Sequence, residues 1–509
     1  MKSIKLKLFC AFVLTSFLFS CKSESKSTNS TTEYTISVTA ATNTNAPALQ
    51  SFAHGIHNGE WLLFAGRTNQ KDDNGGVHDM GKNSDYAEES FPPTSFNENI
   101  FVYNVETDEA PKKISIKQML DTVASKYNSY SADTLKKYKN VFKNTNALVR
   151  QEGDFVYVLG GYGALDSVPK NGYITYNHVA KIHVPSMIAL VKENYNAVDE
   201  SKLFAFGQNK DLVSTGGELY VIDEKLYLVG GHNFGNTAAA GSNGQKYVDA
   251  VYPFSLETVG HSLNIVVGTP ISDVSNPKAI ASDKTSIFRR RDGPVTASLY
   301  YNSDKSKLEP GIAIYAGVFK PGEDLEAWND AIYVHPNLKE SDNKIYTYDT
   351  AYNQKNYNVY SCPDVVAYDS ENKTLHTFLL GGIGDGNLKG KEKRLSGFTN
   401  TGMHIQLNVD GNPLKSTNAV FSTNLFSGTD KNTSPFYGAE AIFFKNNNSI
   451  SIEQTKEIMD LNSLFKSVNS VDVGYVFGGI ESFKSHPGTY GRKFSRASNK
   501  IWKVTLTKK

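Results

Sequence analysis

Leu226-Tyr-Leu-Val-Gly-Gly231 is one of six short runs in which about four apolar residues are followed by Gly-Gly or Ala-Gly. The others are Trp61-Leu-Leu-Phe-Ala-Gly66, Phe155-Val-Tyr-Val-Leu-Gly-Gly161, Ile312-Ala-Ile-Tyr-Ala-Gly317, Leu375-His-Thr-Phe-Leu-Leu-Gly-Gly382 and Gly474-Tyr-Val-Phe-Gly-Gly479. Their final glycines are 95, 70, 86, 65 and 97 residues apart, so the copies fill the chain. A short apolar run bounded by glycine reads as a buried strand, and its recurrence at long intervals marks a repeat architecture.

Working outward, each run has a strand-like partner before it: Phe52–His57, Ala147–Arg150, Gly216–Ile222, Val295–Tyr301, Asp364–Tyr368 and Ala439–Phe444. Short turns such as Asn58-Gly59 suit hairpins between the two. A third strand follows each run: Asn99–Val105, Val179–Val184, Ala250–Leu256, Ala331–His335, Met403–Val409 and Lys500–Leu506. A weaker fourth is legible at Lys113–Ile116, Ser262–Val267 and Lys344–Tyr348. Four antiparallel strands repeated six times predict an all-β propeller, in which radial repetition leaves few strand edges exposed. The last copy lacks a fourth strand, and the alternating segment Tyr34–Ala40 is the one left over to supply it. Small helical insertions are expected at Ile116–Asn146 and Ile452–Phe465, from apolar residues at helical spacing.

The apolar-run-then-Gly-Gly signature resembles the kelch repeat, over essentially the whole chain from residue 34. That resemblance implies a six-bladed kelch-like β-propeller. Two copies carry Ala-Gly, the spacings exceed the roughly 50 residues of a kelch unit, and the three Trp (Trp61, Trp328, Trp502) do not occupy the family's usual fourth-strand position.

The first twenty residues belong to an address. Lys2, Lys5 and Lys7 precede an apolar stretch, Leu8–Phe19, too short for a stable membrane anchor. It ends in Leu18-Phe19-Ser20-Cys21, which resembles a bacterial lipoprotein lipobox, and the polar stretch Lys22–Thr32 reads as a tether. The expected organisation is a signal peptide over 1–20, a flexible tether over 21–33 and a propeller over 34–509. Cys21 would carry the lipid. By resemblance to known lipoprotein sorting, Lys22 after the Cys points to the outer membrane, facing the periplasm or the surface. Only Cys362 then remains in the body, so no intramolecular disulfide is possible. The formal charge of +1, from 53 basic and 52 acidic residues, gives no basic excess that would point to nucleic acid.

In an antiparallel repeat, the lead-in to the first strand and the Gly-Gly exit of the second lie at one end. These segments should therefore share one face around a central channel, where ligand sites gather. The lead-ins contribute His54, Arg291, Asp292, Cys362, Tyr437 and Glu440, and the exits Arg67, His232, Asp385 and Glu481. The candidate ligand-binding residues are His54, Arg67, His232, Arg291, Asp385 and Tyr437. Arg291, Glu440 and Glu481 are the candidates for acid–base chemistry. His54-Gly55 resembles the His that opens many kelch repeats and bonds to neighbouring backbone. Arg289-Arg290-Arg291-Asp292 reads either as a solvated turn or as an Arg fork able to grip a carboxylate or phosphate. The histidines lack metal-ligand spacing, and no nucleophile elbow, zinc or phosphate-loop motif appears, so neither a metal nor a cofactor is expected.

Two functions stay open. One is a lipid-anchored binding module for a glycan, peptide or protein partner. The other is a carbohydrate-active enzyme, since six-bladed bacterial kelch propellers include sialic acid mutarotases, which this chain resembles in repeat type and blade count. Mutarotation needs an acid and a base across a sugar ring. Fold alone does not choose between them.

Overall fold

At the end of each apolar run, both residues of the Gly-Gly or Ala-Gly pair have positive φ, from 54° at Ala65 to 110° at Gly317. Glycine suits such a conformation, and Ala65 and Ala316 adopt it despite their Cβ. The second position is also crowded. A Cβ on Gly66 would lie 2.6 Å from the Gln50 carbonyl oxygen, and one on Gly231 would lie 2.2 Å from Ser214 Oγ. The pair thus turns the chain while pressing it against the lead-in to the preceding strand.

A computed structural model describes residues 33–69, 91, 93–164, 172–235, 245–275, 277, 286–318, 320–321, 327–338, 345–354, 357, 360–384, 397–421, 423–426, 435–485 and 494–509. Their regular secondary structure is mostly strand, with few and short helices, in a propeller-like arrangement of sheets. The first copy forms an antiparallel sheet of Ala53–His57, Glu60–Phe64, Asn99–Asn104 and Lys112–Ser115. The second forms Leu148–Glu152, Phe155–Leu159, His178–His183 and Phe204–Gln208. The third forms Glu218–Ile222, Lys225–Val229, Val251–Val259 and Ser262–Val267. A parallel bridge between Phe206 and Ser262 joins the outer edges of these two into one eight-stranded sheet. The fourth comprises Val295–Tyr301, Leu308–Tyr315, Ala331–Val334 and Tyr346–Asp349. The fifth comprises Asp364–Asp369, Thr374–Leu380, Gly402–Asn408 and Ser416–Val420.

In the last sheet, Ile442–Lys445 pairs with Ser470–Phe477, which pairs with Ile501–Lys508. The strand Tyr34–Ala40 lies antiparallel on the outer side of Ile501–Lys508, in register from Tyr34↔Lys508 to Ala40↔Trp502. Tyr34, Ile36 and Val38 alternate inward and are buried. The cores run between successive sheets and return to the start: Phe52, Trp61 and Leu63 of the first pack with Phe444, Phe477 and Ile501 of the last. Trp61 stacks on Phe444 at 4.2 Å between ring centroids.

Around the axis, backbone hydrogen bonds link the lead-ins in order. The N–H groups of Asn146, Gly216, Asp292, Ser361 and Glu440 donate to the carbonyls of Ser51, Asn146, Gly216, Asp292 and Ser361 respectively, at 2.8–3.3 Å. One lead-in residue from each of the six copies therefore stands in a single arc.

The expected helix over Ile116–Asn146 is two helices, Ile116–Lys126 and Ala132–Lys137, capped by Ser115 and Ser131. The expected helix over Ile452–Phe465 is corrected to a single turn, Leu461–Leu464. Upstream of it the chain loops back on itself: Ile452 N–H donates to the Ile458 carbonyl, Ser451 pairs antiparallel with Met459, and Met459 also pairs parallel with Ala367. The helix Val184–Val191, with Pro185 in its first turn, was not foreseen. No described helix is long and apolar enough to cross a membrane. Cys21 and the tether lie outside the described residues, apart from Glu33 at the tether's end.

Candidate functional site

A backbone device repeats on one face. The residue after the second glycine pairs with the residue just before the arc: Gln50 with Arg67, Thr145 with Tyr162, Thr215 with His232, and Arg291 with Val318. In the last copy, Ile480 N–H donates to the Ala439 carbonyl. These pairs wall a chamber of about 310 Å³, lined among others by Gln50, Arg67, Tyr162, His232, Arg291 and Glu440. Below it, the first strands of all six copies enclose an axial cavity of about 470 Å³. Asn146, Gly216, Asp292 and Glu440 line both and form the neck between them.

Residues of the arc are held in an uncommon conformation. Ser51, Asn146, Asp292 and Glu440 all have positive φ, between 48° and 59°. For non-glycine residues this costs on the order of 1–3 kcal/mol each and is found where function or packing demands it. Gly216 shows the reason for its own type: a Cβ there would lie 2.1 Å from Asp292 Oδ1, so the carboxylate occupies the space a side chain would need.

The three consecutive arginines part company. Arg290 is buried, ion-paired with Asp330 and stacked on Trp328 at 4.4 Å. Arg289 lies over the Tyr247 ring at 3.8 Å. Arg291 alone of the three lines the chamber, its Nη1 donating to Asp292 Oδ2. The run is not a solvated turn, and of its three arginines only Arg291 lines the chamber.

Burial pushes the Glu440 carboxyl up to about 7, and the Asp292 charge adds to this, while the Ser51 hydroxyl and Arg291 act in the opposite sense. Ser51 Oγ donates to Glu440 Oε2 at 2.6 Å. Burial also raises Asp292, with Arg291 opposing. Burial, and then Arg291, hold His232 well below the ordinary imidazole range, so the ring is neutral. The Gln245 amide N–H donates to His232 Nδ1 at 2.9 Å, which leaves the ring proton on Nε2. The chamber thus presents two guanidiniums, a neutral imidazole and a carboxyl poised near neutrality.

Arg67, His232, Arg291 and Glu440 are brought together. Arg67 is 1% exposed, its guanidinium 4.6 Å over the Phe91 ring and its Nε bonded to Ser95. His54 lines the axial cavity instead. Its ring meets Phe444 edge-on at 5.1 Å and its Nδ1 has no hydrogen-bond partner. Burial and then Arg150 hold it to about 4. Tyr437 and Glu481 line neither cavity: Tyr437 donates to Glu481 Oε1 at 3.1 Å, and Arg496 donates to both oxygens of the same carboxylate. That buried carboxylate is saturated by its partners and is not brought to the chamber. Asp385 lies outside the described residues, as does most of the long loop after Arg67. Cys362 lines the axial cavity.

Sequence reasoning missed Gln50, Tyr162, Thr145 and Thr215. Counting one residue past each glycine pair finds Tyr162 as it finds Arg67 and His232. The opposed residues become visible only once the backbone pairing is known.

The lower part of the axial cavity holds a second set of charges. Arg150 pairs with Glu457 at 2.9 Å and lies 4.2 Å over the Tyr220 ring. Burial raises Glu218 to about 8 and Asp364 to about 7, Arg150 opposing in both, and lowers Lys445 to about 8. Among the described residues, no group of three or more His, Cys, Asp or Glu side chains is placed to hold a metal ion.

A propeller-like β fold with a polar chamber at the mouth of an axial cavity is the class of protein these features define. No family model matches the chain, and no curated protein matches it. Among solved structures it is similar to one titled "Structure of YjhT", at 12% identity and a TM-score of 0.39, over 90% of this chain and 97% of that one.

Proposed function

We propose that the chain is a six-bladed propeller of the kelch type, anchored to the bacterial envelope by a lipid on Cys21, whose mouth chamber binds the acidic group of a glycan, peptide or protein partner. The six strand sets and the arc of backbone bonds through all six lead-ins support the blade count. The observation that carries the binding reading is the convergence of Arg67 and Arg291, from different copies, on one recessed chamber. Guanidiniums offer paired donors that match a carboxylate or phosphate, and stacking on Phe91 holds one of them in place. Removing one such charge-assisted contact should cost about 1.5–3 kcal/mol, or roughly 10- to 150-fold in affinity. A glycan array on the full chain would supply an acidic ligand, and titration would compare Arg291→Ala with Lys113→Ala. Lys113 is exposed on an outer strand, so its loss changes net charge equally but far from the chamber. Affinity should fall only in Arg291→Ala; equal losses, or none, would refute the site.

A second reading, a sugar mutarotase or epimerase, is favoured by Glu440. A carboxyl near 7 beside Arg291 can both give and take a proton at neutral pH. The same titrations followed by NMR exchange between sugar anomers distinguish the two: an enzyme would show exchange that Glu440→Gln abolishes while binding persists.

A further inference from the structure

Gln50 is 4% exposed and lines the mouth chamber, yet its Oε1 has no hydrogen-bond partner. A buried amide oxygen left unpaired is costly and rare, so it calls for a specific explanation. Its neighbours fix which way the amide points. Ser51 has one hydroxyl proton, and it is donated to Glu440 Oε2 at 2.6 Å. While Glu440 is ionised, Ser51 Oγ can therefore only accept from Gln50, and Gln50 Nε2 donates to it. The amide nitrogen is committed, and the carbonyl oxygen is the end left over.

Its place beside Arg67 is set by the backbone. Gln50 N–H donates to the Arg67 carbonyl at 2.9 Å and Arg67 N–H to the Gln50 carbonyl at 2.8 Å. Side chains of residues directly opposed in such an antiparallel pair project to the same side. The equivalent residues of the next two copies keep their polar atoms busy within the protein: Thr145 Oγ1 donates to Asn146 Oδ1 and Thr215 Oγ1 to the Asn146 carbonyl. Gln50 differs in leaving a strong acceptor unused, in a chamber also lined by two arginines whose guanidiniums can only donate.

We propose that Gln50 is a specificity-determining contact of the mouth chamber, its Oε1 accepting a hydrogen bond from a hydroxyl or N–H that the ligand carries next to the acidic group held by Arg67 and Arg291. This assignment rests on the reading of the mouth as an acid-binding site. It narrows the ligand to an acid with an adjacent donor, such as a hydroxy acid, and disfavours an acid with a purely apolar body.

The test is calorimetric titration of the full chain with two probes, glucuronate and cyclohexanecarboxylate, which share a six-membered ring and a carboxylate but differ in hydroxyl groups. The wild type should prefer glucuronate by at least tenfold. Gln50→Leu should abolish that preference by weakening glucuronate alone, and Gln50→Met serves if the first variant does not fold. Arg291→Ala should weaken both probes. If Arg291→Ala weakens both but the Gln50 variants keep the preference, or lose affinity for both probes equally, the Gln50 assignment is overturned and the acid site stands. If the wild type binds neither probe, or Arg291→Ala has no effect, the acid site itself is overturned, and this assignment with it.

Discussion

Glu218 illustrates how strongly the axial cavity acts on single residues. Burial, partly opposed by Arg150 and reinforced by Asp364 and Glu440, raises its carboxyl from 4.5 to about 8. The folded chain therefore keeps a proton that the unfolded chain has released between those two values. Stability contributed by this group is complete below about pH 4.5 and falls as pH rises toward 8. Glu218→Gln, which is always neutral, should match the wild type near pH 4. At pH 9 it should be more stable by up to about 5 kcal/mol, since each tenfold in acidity between 4.5 and about 8 is worth about 1.4 kcal/mol. Urea midpoints across pH 4–9 measure this, and parallel pH profiles for the two proteins would refute it. At this scale the sequence was partly legible. Arg67, His232, Arg291 and Glu440 were identifiable because each stands at a fixed offset from a glycine pair or opens an inner strand. Glu218 and Gln50 were not, because burial and pairing give them their character and neither shows in residue type.

The strand Tyr34–Ala40 shows the same division among elements. Its period-two alternation marked it as a strand, and its isolation in the chain suggested where it belonged. In place, it buries Tyr34, Ile36 and Val38 against the last sheet, and Tyr34 donates to Asp369 Oδ2 of the neighbouring sheet at 3.2 Å. Each buried apolar side chain of this size is worth about 1.5–3 kcal/mol, and each backbone hydrogen bond adds about 0.5–1.5 kcal/mol net. Deleting 34–40 should therefore lower the melting temperature by about 5 °C or more, whereas deleting 22–32 should leave it unchanged. Equal melting of the two deletions, followed by circular dichroism, would count against this role. The segment Ile452–Phe465 is the contrary case. Its apolar spacing fits a helix, but tertiary contacts override that local preference: Arg150 takes Glu457, Lys445 takes the Lys456 carbonyl, and Met459 joins the edge of the fifth sheet.

For the molecule as a whole, we propose that Cys21 carries the lipid that holds it at the envelope. A fatty-acid probe fed to producing cells should label the wild type and not Cys21→Ala, and persistent label on the variant would sink the proposal. By itself, the sequence determined the six strand sets, the turns between them and the face on which side chains could gather. Those features depend on local chemistry: apolar alternation makes strands, and paired positive-φ residues end them. Only the tertiary structure decided which candidates meet. Arg291 reaches the chamber while Arg290 turns into the core, and Glu481 is consumed by Arg496 and Tyr437. The carboxyls of the neck and the axial cavity acquire their raised values there too. Such outcomes depend on distances between copies that are 65 to 97 residues apart in the chain, and the packing of the sheets against one another is what sets those distances.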